Sequence, residues 1–81
     1  MNIDQLLKLI ANALKISPTK ISTASQQVEI EEWDSLGHLN ILVQLDKQTD
    51  GRASLIFDLV EAKSIDDFIR ILTENNLLKP T

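Results

Sequence analysis

The amino-acid sequence predicts a small all-α protein: a four-helix bundle with three principal helices, one short helix and a long loop between helices 1 and 2. The chain of 81 residues contains only two glycines and two prolines. Apolar residues recur at the i, i+3, i+4, i+7 spacing of one-sided helices. No segment alternates apolar and polar residues over the length of a strand. The length fits a single domain over residues 1–81.

The first predicted helix is amphipathic and runs from Ile3 to Leu14. Its apolar stripe consists of Ile3, Leu6, Leu7, Ile10, Ala11 and Leu14. Asn2 is a suitable N-cap because its short side chain can accept from a free backbone N–H. The helix cannot continue through Ser17-Pro18, since the residue before a proline avoids helical dihedral angles.

No period holds between Ser17 and Asp34, which predicts a long ordered loop. The aliphatic residues expected to pin this loop to the bundle are Ile16, Ile21, Val28 and Ile30. Four acids lie within six residues of its second half: Glu29, Glu31, Glu32 and Asp34. Ordered loops of this length are uncommon in compact domains and often carry function.

The second predicted helix begins at Asp34-Ser35 and runs to Gln48. Its wide apolar band consists of Leu36, Leu39, Ile41, Leu42, Val43 and Leu45. Gly51 follows it, and glycine suits the left-handed residue that closes many helices.

A shorter apolar segment, Leu55 to Ala62, is predicted to hold the short helix. Ser64 is expected to cap the last helix, which carries Asp66 and Asp67 in its first turn. The apolar stripe of this helix is Ile65, Phe68, Ile69 and Leu72. We expect it to fray near Asn75-Asn76.

Charge and composition exclude several classes of protein. The net charge is −4 and the eight basic residues are scattered, so nucleic acid is a poor partner and a basic protein surface a better one. No apolar run approaches the roughly 20 residues that span a bilayer, and no signal peptide is visible. With no cysteine and one histidine, we expect neither disulfides nor a metal site. These features predict a cytoplasmic monomer that does not bind membranes.

The informative stretch is EEWDSLGHLNIL, from Glu31 to Leu42, which places an Asp-Ser pair where the acidic loop meets the second helix. Taken alone, this pair predicts a helix cap, because both residue types are preferred there.

Asp34-Ser35-Leu36 at the start of the second helix resembles the attachment site of acyl carrier proteins. The resemblance covers essentially the whole chain and includes the final helix, which opens Ser64-Ile65-Asp66-Asp67-Phe68. It implies that Ser35 carries 4'-phosphopantetheine, donated by coenzyme A, and that Asp34 supports the attachment. Such a protein catalyses nothing alone and carries acyl intermediates as thioesters.

The resemblance also implies partners and surfaces. The partners are a phosphopantetheinyl transferase and the acyl-loading, condensing and tailoring enzymes of fatty-acid, polyketide or related biosynthesis. The expected docking residues are Glu31, Glu32, Leu36 and Asp46. The candidates for an acyl pocket are Leu42, Leu45, Val60, Ala62, Ile65 and Phe68.

Departures from the family pattern favour a specialised carrier of a polyketide, nonribosomal peptide or modified-lipid pathway, among them Thr49-Asp50-Gly51-Arg52 where the family often has an aromatic residue and an isoleucine. Trp33 precedes the Asp-Ser pair where fatty-acid carriers have a glycine-containing segment. The second helix is also less acidic than usual, with Gly37, His38, Asn40 and Gln44 where acids are common.

Two alternatives remain beside the carrier. One is an enzyme in which Ser35 and His38, neighbours on a helix, act as nucleophile and base; a single histidine and so short a chain argue against it. The other is a non-catalytic helical docking or adaptor domain without a prosthetic group. We expect His38 to be exposed at an interface, Trp33 to anchor the loop, and Gly37 to leave room for an approaching enzyme.

Overall fold

The computed structural model describes residues 1–79, and within this range it contains three α-helices and no β-strand. They are α1 (Ile3–Leu14), α2 (Ser35–Gln48) and α3 (Ile65–Glu74). The predicted all-helical class and the bounds of these helices are confirmed. Residues 80 and 81, the end of the domain predicted over 1–81, lie outside the described residues.

The predicted short helix is not an α-helix. The chain forms two 3₁₀ turns instead, Ala53–Leu55 and Phe57–Glu61, and we call residues 53–61 the 3₁₀ segment. Most positions of this segment carry apolar side chains, and these do not recur at the spacing of a helix. A regular helix therefore could not bury them all on one face. The tighter 3₁₀ turn is used in such short pieces. It buries Ala53 and Leu59 and leaves their neighbours exposed.

Side chains cap the helices where the sequence predicts. The Asn2 Oδ1 accepts from the backbone N–H of Gln5 at 2.8 Å, and the Gln5 side chain accepts from the N–H of Asn2 at 2.9 Å. The Ser64 Oγ accepts from the N–H of Asp67 at 3.0 Å at the start of α3. Each cap supplies a partner for a backbone donor that a helix start leaves free.

The core lies where the three helices meet. Its fully buried side chains include Leu6 and Ile10 of α1, Ile41 and Leu45 of α2, and Ile65, Phe68 and Leu72 of α3. The predicted stripes of α1 and α3 therefore face the core. The band of α2 divides: its inner side is buried, whereas Leu36, Leu39 and Val43 are exposed.

The loop between α1 and α2 is tied to the chain that precedes α3. The N–H of Gln27 donates to the carbonyl oxygen of Lys63 at 2.8 Å, and the N–H of Ile65 donates to that of Ser25 at 3.0 Å. Among its aliphatic residues, Ile21 is buried and Ile16 and Ile30 are half-buried. The prediction for Val28 was wrong. Its side chain is 90% exposed, because a 3₁₀ turn at Gln27–Glu29 directs it to solvent.

The end of α2 is joined directly to the 3₁₀ segment. The Thr49 Oγ1 donates to the carbonyl oxygen of Leu45 at 2.7 Å and accepts from the N–H of Ala53 at 2.9 Å. Gly51 has the positive φ that the sequence predicts, 85°. This tight connection places the 3₁₀ segment alongside α2.

Candidate functional site

Ser35 is the first residue of α2, and its side chain is exposed. The N-cap is Asp34, whose Oδ1 accepts from the backbone N–H of Gly37 at 2.8 Å. The Ser35 hydroxyl takes no part in this cap. The capping role that the sequence left open between the two residues therefore belongs to Asp34.

A buried chain of hydrogen bonds passes through His38, about one helical turn after Ser35. Trp33 is 2% exposed, and its Nε1–H donates to the Nδ1 of His38 at 3.0 Å. The other ring nitrogen of His38 lies 2.9 Å from the carbonyl oxygen of Leu59. Because indole can only donate, Nδ1 must accept, so Nε2 carries the hydrogen and donates to Leu59. The prediction that Trp33 anchors the loop is confirmed.

The expectation that His38 is exposed at an interface was wrong. Its side chain is buried and lies beside Trp33 in a nearly parallel plane, with ring centroids 6.2 Å apart and planes within 6°. Phe68 of α3 lies against both rings, at centroid distances of 5.9 and 5.7 Å. We call Trp33, His38 and Phe68 the aromatic cluster. Both nitrogens of His38 are engaged, Nδ1 with Trp33 and Nε2 with the carbonyl oxygen of Leu59, so neither is free to take a proton from Ser35.

Gly37 serves packing rather than access to the site. A Cβ at this position would collide with the carbonyl oxygen of Glu32 and lie 2.8 Å from the Cδ2 of Leu14. Gly37 is buried and faces inward, away from the exposed Ser35. The expectation that it leaves room for an enzyme is therefore corrected: it lets the loop and α1 approach the start of α2.

Beside Ser35 lies a cavity of about 260 Å³, which we call the Ser35 cavity. Three parts of the chain form it: the start of α2, the loop, and the residues that end the 3₁₀ segment and lead to α3. The lining residues are Gln27, Ser35, His38, Val60, Glu61, Ala62 and Lys63. The cavity thus brings polar side chains, one cation and an apolar wall to the same hydroxyl.

A second depression, the apolar groove, runs between α2 and the 3₁₀ segment and has a volume of about 360 Å³. Most of its lining is apolar, namely Leu42, Val43, Ala53, Ile56, Phe57, Leu59 and Val60. Asp46, Lys47 and Ser54 complete it. Val60 borders both the groove and the Ser35 cavity, so the two are neighbours.

An exposed apolar face adjoins the groove. Leu36, Leu39 and Val43 are spaced three and four residues apart, which places them on one side of α2. They are 66%, 54% and 44% exposed. Phe57 and Val60 of the 3₁₀ segment are also exposed and, with Val43, line the groove. Contiguous exposed apolar residues of this kind mark interaction surfaces.

The predicted docking residues lie in different environments. Glu31 and Glu32 are exposed on the loop, and Leu36 is exposed beside Ser35. Asp46 is half-buried, and its Oδ1 accepts from the backbone N–H of Ser54 at 3.2 Å. Its carboxylate therefore joins α2 to the 3₁₀ segment as well as lining the groove.

The predicted pocket residues are not brought together in one pocket. Leu42 and Val60 line the groove, and Val60 and Ala62 line the Ser35 cavity. Leu45, Ile65 and Phe68 are fully buried and line neither, because they are packed into the core and, for Phe68, into the aromatic cluster. Those three are core residues of the unloaded protein, and their place in an acyl pocket stays a prediction.

Several residues at the site were not predicted from the sequence. Gln27 and Lys63 reach the Ser35 cavity only because the loop pairs with the chain before α3. Phe57 and Ile56 lie in the groove because the segment is 3₁₀ rather than α-helical. The one signal for them was the run of apolar residues from Leu55 that lacked a helical period.

Within residues 1–79, no group of three or more histidine, aspartate or glutamate side chains could hold a metal ion. No α-helix of that part of the chain has the length and apolar character to cross a membrane. Comparison of the sequence with protein-family models and with curated proteins, and of the fold with solved structures, gave no match.

Removing one partner of the buried hydrogen-bond chain is expected to destabilise the fold. Trp33→Phe leaves Nδ1 of His38 without its donor, and His38→Phe leaves the Nε1–H of Trp33 without an acceptor and the Leu59 carbonyl oxygen with only the N–H of Ala62. We expect each change to lower the free energy of unfolding by about 1–3 kcal/mol. Urea denaturation followed by circular dichroism measures the loss.

The double variant Trp33→Phe/His38→Phe is the matched control, because the two groups that bond to each other are both gone. We expect it to cost less than the sum of the single changes, with a coupling of about 0.5–3 kcal/mol. Strictly additive losses would show that the two rings do not depend on their mutual hydrogen bond.

Gly37→Ala is expected to lower the free energy of unfolding. The added Cβ meets backbone, which cannot rotate away, so we expect a steric cost near the upper end of about 1–3 kcal/mol. The better helix propensity of alanine returns only about 1 kcal/mol. Lys47→Ala, on the exposed side of α2, should stay within about 0.5 kcal/mol. An alanine variant as stable as the unmodified protein would contradict the packing role.

Proposed function

We propose that this protein is an acyl carrier protein, which holds acyl intermediates as thioesters on a 4'-phosphopantetheine arm at Ser35 and presents them to biosynthetic enzymes. The observation that carries the proposal is the exposure and position of Ser35. Its side chain is exposed at the first residue of α2, outside the helix cap, and it borders a cavity. The motif Asp34-Ser35-Leu36 gives this exposed hydroxyl a chemical role.

The residues around Ser35 fit the arm. The start of α2 favours a negatively charged phosphodiester, because helix N-termini carry partial positive charge and free N–H groups. Asp34 uses one carboxylate oxygen in the cap, which leaves the other for its supporting role in attachment. When bound, the arm supplies a thiol, a group that the cysteine-free chain does not have.

Attachment needs a separate transferase. A bond forms between the Ser35 Oγ and the phosphorus that bears the pantetheine half of coenzyme A. The pyrophosphate bond of coenzyme A breaks, and adenosine 3',5'-bisphosphate leaves. The proton of the hydroxyl passes to a base of the transferase, since His38 has both ring nitrogens engaged. This chain's own contribution is to present the hydroxyl.

The surfaces near Ser35 support docking of partner enzymes. The exposed apolar face begins at Leu36, directly after the attachment residue. Glu31 and Glu32 add negative charge from the loop, which favours partners with basic surfaces and acts mainly on the rate of association. The balance of apolar over acidic residues on α2 supports a specialised carrier in polyketide, nonribosomal peptide or modified-lipid synthesis.

In this proposal the 3₁₀ segment takes the place of the short helix in a four-helix carrier. Its position beside α2 forms the apolar groove, which is where we place an aliphatic cargo. The second candidate function is an adaptor domain without a prosthetic group. The exposed apolar face supports the adaptor as well as the carrier. Attachment of phosphopantetheine at Ser35 distinguishes the two functions.

Incubation with coenzyme A and a broad-specificity phosphopantetheinyl transferase is the direct test. We expect the intact mass to rise by one phosphopantetheine, located on Ser35 by fragmentation. Ser35→Ala should accept nothing and change the free energy of unfolding by no more than about 0.5 kcal/mol, because its hydroxyl is not the cap.

Ser64→Ala is the matched control for Ser35→Ala. It removes a true capping hydroxyl and should cost about 1 kcal/mol, yet it should be modified normally. An unchanged mass with several transferases would overturn the carrier proposal and favour the adaptor. Modification at another serine would overturn the assignment to Ser35.

If an aliphatic cargo lies in the apolar groove, acylation should stabilise the protein. Each methylene removed from water contributes about 0.8 kcal/mol, and binding to the folded state alone raises the melting temperature. We expect the protein loaded with a medium-length acyl chain to melt above the holo form. Thermal unfolding followed by circular dichroism measures the difference.

Val60→Asn should remove most of that increment, because it places an amide in the wall of the groove. Val28→Asn is the control, since Val28 is even more exposed and does not line the groove. It should keep the increment. Equal melting temperatures for the acylated and holo forms of the unmodified protein would mean that the cargo stays in solvent.

A further inference from the structure

We infer that Lys63 and Gln27 are positioning residues that hold the phosphodiester end of the arm within the Ser35 cavity. This inference rests on the proposed function, because it concerns the group attached to Ser35. The arm would leave the hydroxyl into the cavity rather than into open solvent, and continue past Val60 toward the apolar groove.

The first support is that the backbones of both residues are held in the wall of the cavity that Ser35 borders. The backbone N–H of Gln27 donates to the carbonyl oxygen of Lys63 at 2.8 Å. The N–H of Lys63 donates to the Oδ2 of Asp67 at 3.0 Å, and the Nε2 of Gln27 donates to the carbonyl oxygen of Trp33 at 3.0 Å. Their positions in the cavity wall are therefore set by the fold.

The second support is the hydrogen-bonding capacity that remains. The amide nitrogen of Gln27 carries two hydrogens, and its bond to Trp33 uses one of them. The second can donate to a phosphate oxygen. Within residues 1–79, the ammonium of Lys63 forms no ion pair, so its charge is not already neutralised by a carboxylate.

The third support is the distribution of charge around the cavity. A phosphodiester is an anion, and Lys63 is the basic side chain among the lining residues. Glu61 also lines the cavity and would repel the phosphate, which favours a position on the side of Lys63. Ala62 and Val60 offer an apolar wall to the carbon skeleton that follows the phosphate.

The order of surfaces matches the order of groups along the arm. The Ser35 cavity has the charged and amide side chains, and the groove beyond Val60 is lined mostly by aliphatic and aromatic ones. The phosphodiester is the polar end of the arm and the cargo its apolar end. Val60, which borders both spaces, marks the passage between them.

Nuclear magnetic resonance of the isotopically labelled protein, before and after transfer from coenzyme A, tests the inference. We expect chemical-shift changes at the side-chain amide of Gln27 and at the backbone amides of Ala62 and Lys63, besides those next to Ser35. The holo form should also melt at a higher temperature than the apo form, because the phosphate gains partners only in the folded state.

Variants of the two charged residues sharpen the test. Lys63→Met should reduce both the shift changes at Gln27 and the melting increment, because the phosphate loses its one basic side chain, while the mass still rises on modification. Lys63→Arg keeps the charge and should retain both effects. Glu61→Gln removes the repulsion and should enlarge the melting increment. Because Lys63 and Glu61 are exposed, all three variants are expected to fold.

The failures can be told apart. If Ser35 gains no mass, the carrier proposal and this inference both fall. If Ser35 is modified but the shift changes stay confined to residues 34–37, the carrier proposal stands and the inference is overturned. Equal melting increments in the unmodified protein and in Lys63→Met overturn it as well.

Discussion

The hydrogen-bond chain from Trp33 through His38 to the Leu59 carbonyl oxygen is the constraint on which the rest of the site depends. It joins the loop, α2 and the 3₁₀ segment, which are separate in the sequence. A buried polar group without a partner is costly, so the three segments must keep the relative positions that satisfy all of these groups. Those same segments enclose the Ser35 cavity, and the spacing of its walls follows from the bonds beneath it.

The inward and outward sides of the first turns of α2 have different roles. Gly37, His38 and Ile41 face inward and pack against backbone, ring and aliphatic neighbours. Ser35 and Leu36 face outward and are exposed. Because the inward residues hold the helix in place, the outward side chains are not needed for its packing. A chemical group can then be added at Ser35 with little effect on the packing.

Local features were predictable from the sequence, and long-range ones were not. The α1 stripe and the caps at Asn2 and Ser64 depend on residues within one or two turns, so their pattern was sufficient. The band of α2 contained too many apolar residues for one face, and the pattern could not separate buried Ile41 from exposed Leu36. His38 was misjudged for a related reason. Its partner Leu59 lies 21 residues away, and polarity alone favours the surface for an unpartnered ring.

The pairing of the loop with the chain before α3 has a consequence for folding. Residues 25–27 and 63–65 are far apart in the sequence, so closing this contact costs chain entropy that local helices do not require. The helices α1 and α2 can form early from local interactions. The cavity beside Ser35 cannot, since its walls come from both sides of that long-range contact. A growing chain that ends before α3 would expose the serine without its surroundings, and only the completed fold would offer both together.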